Sequence, residues 1–113
     1  MSINKLKAEK ILKFGEVEYK AKMSLDTIIR IENLLNCSIL KLGNKLAQGD
    51  ITLTEIISII TLAIRGGGND IKDNDIKGHV SEIGLIESIK MAGELVTLAL
   101  NVDDDSEKKS ESE

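Results

Sequence analysis

The sequence has no proline and no tryptophan, one cysteine, one histidine, and only two aromatic residues, Phe14 and Tyr19, among its 113. Each scarcity excludes something. A lone cysteine, Cys37, cannot form an intramolecular disulfide, and a reducing compartment, the cytoplasm, is the natural reading. It follows the expected end of a helix with no basic helper beside it, so it reads as a small hydrophobe rather than a nucleophile. His79 has no cysteine or histidine at ligand spacing and no nucleophile in sequence reach. No metal, no cofactor and no catalytic residue is therefore expected, and the chain reads as a non-enzyme. With so few rings there is no platform on which bases could stack. The first ten residues lack the apolar centre of a signal peptide. The longest apolar run, Ile56 to Ile64, is broken by Ser58 and Thr61 and is too short to span a bilayer, so no membrane partner is expected.

Charge is scarce in the body and concentrated at one end. Six acidic residues, Asp103, Asp104, Asp105, Glu107, Glu111 and Glu113, face only Lys108 and Lys109 in the last stretch. That tail accounts for the whole net charge of -4 and leaves the body balanced. Phosphate recognition needs clustered positive charge, so nucleic acid is excluded as a partner.

Present in abundance are Ile, Leu, Val and Ala, arranged in two periods. Around a two-residue Gly15-Glu16 loop, Phe14 pairs with Val17, Leu12 with Tyr19, Lys10 with Ala21 and Ala8 with Met23 on one mostly apolar face. The other face pairs Lys13 with Glu18 and Glu9 with Lys22. This predicts a β-hairpin.

After Met23 the period becomes helical. Ser24 caps a helix to about Leu35 whose inner side carries Leu25, Ile28, Ile31, Leu34 and Leu35. A second runs from Ser38 to Gln48 and stops at Gly49. Thr52-Leu-Thr-Glu55 has the form of a capping box and opens a third, ended by Gly66, Gly67 and Gly68, with Thr54, Ser58, Thr61 and Arg65 as a narrow polar stripe. Asp73 or Asn74 caps a fourth to about Ile83, where Gly84 closes it, and a fifth spans Leu85 to Asn101. The fold class is α+β and predominantly helical: an N-terminal two-stranded hairpin, then four to five short α-helices, then a disordered acidic C-terminal tail. A flexible segment over 1–7, a single domain over 8–101 and the tail over 102–113 complete the organisation.

Two motifs imitate ligand sites. Asp73-Asn74-Asp75-Ile76-Lys77-Gly78 opens like a calcium loop, but Lys77 stands at the fifth position and Gly84 at the twelfth, where an oxygen ligand and a bidentate Glu are needed. Gly66-Gly67-Gly68-Asn69-Asp70 is followed by no Gly-Lys-Ser/Thr and fed by no strand, so it reads as a helix terminator or a partner contact. The positive feature is excess aliphatic surface on the third and fifth helices, which serves either a small core or a docking face for another chain, including another copy.

The run Phe14-Gly-Glu-Val-Glu-Tyr19, Leu25, Ile31-Glu-Asn-Leu-Leu35, Ser38-Ile-Leu-Lys-Leu42, Gln48-Gly49, Ile56-Ile57 and Leu62-Ala-Ile-Arg-Gly-Gly-Gly68, continuing through Val80, Gly84 and Leu95 to Leu100, resembles the gene-transfer-agent and prophage family of phage-tail proteins. That family is grouped with tail-assembly chaperones and also labelled tail tube proteins. The resemblance covers residues 15–100; the Ile-, Lys- and Asn-rich composition and the charged tail depart from it. It implies a chaperone that holds the tape-measure protein until tube subunits polymerise around it. The alternatives are a structural tube component carried in the particle, and a small helical regulatory or interaction protein. The residues expected at the partner contact are Ile57, Ile60, Ile64, Arg65, Gly66, Gly67, Leu95 and Leu98.

Overall fold

The computed structural model describes residues 8–111, with side chains described through Asn101. It consists of a hairpin, β1 (Glu9–Phe14) and β2 (Val17–Lys22), followed by five helices: α1 (Leu25–Leu35), α2 (Ile39–Gln48), α3 (Leu53–Gly66), α4 (Asp73–Ile83) and α5 (Leu85–Glu111). The expected flexible segment, 1–7, lies outside the described residues. The final helix continues past Asn101, its expected end. No hydrophobic residue follows Val102, so core packing cannot fix that continuation. Disorder of the acidic tail stands as a proposal, with amide hydrogen exchange over 103–111 as its measurement.

The hairpin has the expected register, with Phe14 opposite Val17, Leu12 opposite Tyr19 and Lys10 opposite Ala21. Gly15, at φ 63°, supplies the left-handed first loop position that a side chain would resist. On the outer face Lys13 lies 3.9 Å from Glu18. Glu9 is in register with Lys22, but its carboxylate turns to Lys20 instead, at 4.0 Å.

Helix boundaries follow their local chemistry. Ser24 and Ser38 accept from the N–H groups of Thr27 and Lys41 at 3.2 and 3.0 Å. Gly49 ends α2 at φ 71°. At the start of α3, Thr52 Oγ1 accepts from the Glu55 N–H at 3.1 Å and Glu55 Oε1 from the Thr52 N–H at 2.9 Å, which is the reciprocal box read from sequence. The cap of α4 is a correction. Lys72 occupies that position, rather than Asp73 or Asn74, and Asp75 reaches back to accept its N–H at 3.3 Å.

The core forms around α3. Ile56, Ile59, Ile60, Ala63 and Ile64 meet Leu12, Phe14, Ala21 and Met23 from the hairpin, Ile31 from α1, Ile76 and Val80 from α4, and Ala92, Leu95 and Val96 from α5. Enclosure on several sides explains why α3 is apolar nearly all round. It also corrects the polar stripe: Thr61 is buried and its hydroxyl has no hydrogen-bond partner among the described residues. On α1 the correction runs the other way, since Leu25 and Leu34 are exposed while Thr27 and Ile31 face inward.

Lys45 Nζ, near the end of α2, donates to Glu55 Oε2 at 2.6 Å and so fastens α2 to the start of α3. Burial alone would raise the Glu55 carboxyl. The hydrogen bonds from Lys45 and from Thr52 outweigh it, and the carboxyl is held below the ordinary carboxylate value. A depressed folded-state value stabilises the fold above the unfolded value of about 4.3, and that contribution is lost as pH falls through the folded value. In thermal melts from pH 7 to pH 3, Glu55→Gln should therefore melt below wild type at pH 7, and the gap should close in acid. A gap of constant size would remove Glu55 as its source. The same hydrogen bond raises Lys45, whose contribution is lost only in strong base.

Candidate partner-binding groove

The partner-contact residues expected from sequence separate into three groups. Ile60, Ile64 and Leu95 are completely buried, and this corrects their assignment: they supply core and present no surface to a partner. Ile57 and Leu98 are half-buried. Arg65, Gly66 and Gly67 lie together at the surface end of α3, Arg65 and Gly66 exposed and Gly67 half-buried, and they make contacts to β2 and to the chain that follows.

That packing accounts for the glycines. A Cβ on Gly67 would collide with the carbonyl of Lys20 in β2, and one on Gly66 with the Thr27 hydroxyl and, at 2.8 Å, the carbonyl of Lys22. The turn is pressed against the outer edge of β2, where Asn69 Nδ2 donates to Lys20 O at 2.9 Å and to Ile64 O at 3.1 Å. Arg65 Nε donates to Ile71 O at 2.9 Å, and its Nη2 lies 3.8 Å from Asp73 Oδ1. The glycine run is a helix terminator, and it is also a clasp between α3 and the sheet.

His79 is half-buried against the hairpin. It stacks on Phe14 with ring centroids 4.9 Å apart and planes at 21°, and its Nε2 lies 3.0 Å from the Tyr19 hydroxyl. The sequence carried the signal: Ile76, His79, Val80 and Ile83 follow helical spacing on one side of α4. Cys37 is half-buried against the core, in keeping with its reading as a small hydrophobe.

Surface of the right kind for a partner lies elsewhere. Between the first turns of α3, the outer side of α4 and the start of α5 runs an open groove of about 690 Å³. Leu53, Ile57, Val80 and Leu85 supply its apolar lining, and Thr54, Ser58, Asp73 and Lys77 its polar lining, the last two exposed and of opposite charge. Leu53 and Leu85 are 49% and 53% exposed, and the adjoining Ile86 is 71% exposed. Of the residues expected from sequence, only Ile57 reaches this groove. Leu53, Leu85 and Ile86 were missed because each begins a helix, where sequence periodicity has too few turns to define a face.

The described residues contain no group of three or more His, Cys, Asp or Glu side chains able to hold a metal, and no helix among them is long and apolar enough to cross a membrane. A groove with aliphatic walls and a sparse polar rim can cover apolar side chains. The architecture is that of a small, mostly helical domain with a two-stranded hairpin at its edge. The chain belongs to the family described as "Phage tail tube protein, GTA-gp10", whose model matches residues 7–102. This is a family of phage tail proteins, as the resemblance implied. No curated protein and no solved structure matches the chain.

Proposed function

We propose that this protein is a tail-assembly chaperone that binds the tape-measure protein in the bacterial cytoplasm and keeps it soluble until tube subunits assemble around it. The observation that carries this reading is the open apolar groove of α3, α4 and α5 with the exposed Leu53, Leu85 and Ile86 beside it. A long helical chain with apolar faces can lay one stripe of side chains into such a groove, in the manner of helix-in-groove recognition. The acidic tail adds net charge that keeps such complexes apart in solution.

A second reading, a structural component of the tail tube that travels in the particle, is favoured by the family's description. Against it stands the small amount of sheet, one two-stranded hairpin among the described residues, where ring closure by strand pairing would draw on more.

Co-expression with the tape-measure protein, followed by affinity purification and size-exclusion chromatography with light scattering, separates the two. The chaperone reading expects a soluble stoichiometric complex whose yield falls at least about tenfold in Leu53→Asp and Leu85→Asp, variants that remain folded alone. If the tape-measure protein stays insoluble and this protein forms rings or tubes by itself, the structural reading replaces it.

A further inference from the structure

The two edges of the hairpin are treated differently. In a hairpin closed by a two-residue loop, the pair flanking the loop exchanges hydrogen bonds, and every second pair after it does the same. The 2.8 Å bond from the Met23 N–H to Ala8 O continues that alternation. Lys20 is thus one of the β2 residues whose backbone points away from β1, and the glycine clasp covers it there through Asn69. On β1 the residues whose N–H and C=O point away from β2 are Glu9, Ile11 and Lys13. None of these groups has a hydrogen-bond partner among the described residues. Ile11, at the centre of this edge, is 51% exposed. An open edge with an exposed β-branched residue in its middle is a template for another strand.

The edge is complementary to itself. If a second copy brings its β1 alongside in antiparallel orientation, with the two-fold axis through Ile11, Ile11 meets Ile11. Glu9 then stands opposite the partner's Lys13, and Lys13 opposite the partner's Glu9. In this register all three are hydrogen-bonded pairs, so the outward N–H and C=O groups of each copy meet those of the other. The three side chains share the outer face of the hairpin, where opposite charges directly across the strands attract. A shift by one residue would set outward-pointing backbone groups against inward-pointing ones, and a shift by two would lose both charge pairs. We propose that β1 is a homodimerisation edge, pairing antiparallel with β1 of a second copy about Ile11 to make a four-stranded sheet in the order β2-β1-β1-β2. This interface lies apart from the groove and holds for either functional reading.

The test is a charge exchange on the full chain. Sedimentation velocity over a concentration series should show a wild-type monomer–dimer equilibrium. Glu9→Lys and Lys13→Glu should each weaken it about tenfold or more, because each turns both cross-strand attractions into repulsions. An equimolar mixture of the two variants joins a basic edge to an acidic one and should recover dimer as a heterodimer. Thermal melts of each variant establish that the fold is intact. Hydrogen exchange should show the Ile11 amide protected in the dimer and unprotected at dilution. A wild-type chain that stays monomeric up to millimolar concentration overturns the proposal. So does a dimer insensitive to both variants, a mixture that recovers nothing, or an Ile11 amide that exchanges equally fast in both states.

Discussion

Gly67→Ala should be the most damaging single-methyl change on the surface of this protein, lowering stability by about 3 kcal/mol. The added Cβ would occupy the position of the Lys20 carbonyl, and backbone in a paired strand cannot swing aside as a side chain can. The turn would have to lift off β2, which also breaks the hydrogen bond from Asn69 to Lys20. For a domain of this size the melting temperature should fall by roughly 10–20 °C. Gly78→Ala is the matched control. It lies within α4 with nothing within 4 Å of its added methyl, so removing a flexible residue from a helix should raise stability by about 0.5–1 kcal/mol. Opposite signs from one chemical change would locate the effect in the contact with β2. Equal small changes at both positions would show that the turn does not bear on the sheet.

Ile60 provides the second large effect. It is fully buried in the cluster that joins α3 to the rest of the core, and its truncation to Ala should cost about 4 kcal/mol through lost transfer energy and the cavity left behind. Ile60→Asp should prevent folding, because nothing around that site can pair with a carboxylate. The comparison is with Leu85→Asp, which should change stability by no more than about 0.5–1 kcal/mol because the side chain is already half in water. Urea denaturation read by circular dichroism separates the two. A folded Ile60→Asp variant would mean that α3 is less enclosed than described.

The difference between Ile60 and Leu85 shows where reading the sequence succeeds and where it stops. The hairpin was legible to the residue because a two-residue loop and period-two alternation leave one register that sorts Leu12 and Phe14 from Lys13 and Glu18. The caps at Ser24, Ser38, Gly49 and Thr52 were legible because capping is local chemistry. Which way a broad apolar helix faces is not local. On α3 nearly every position is aliphatic, so Ile57 and Ile60 look alike until β2, α4 and α5 are placed around them. The same limit hid the reason for Gly66 and Gly67: their neighbours, Lys20 and Lys22, lie far away along the chain. On α1, Leu25 and Leu34 satisfied a helical pattern that burial then divided differently.

The hairpin's dependence on α4 has a consequence for how the chain is made. Phe14 is covered by His79, and Tyr19 meets the same imidazole across a separation of 60 residues. At about 5–20 residues per second, the ribosome delivers α4 roughly 3–12 s after the strands. For that interval the apolar side of the hairpin has no cover from α4, and a two-stranded ribbon is marginal alone. Translation speed across the segment between the strands and α4 therefore sets how long a nascent chain remains open to aggregation.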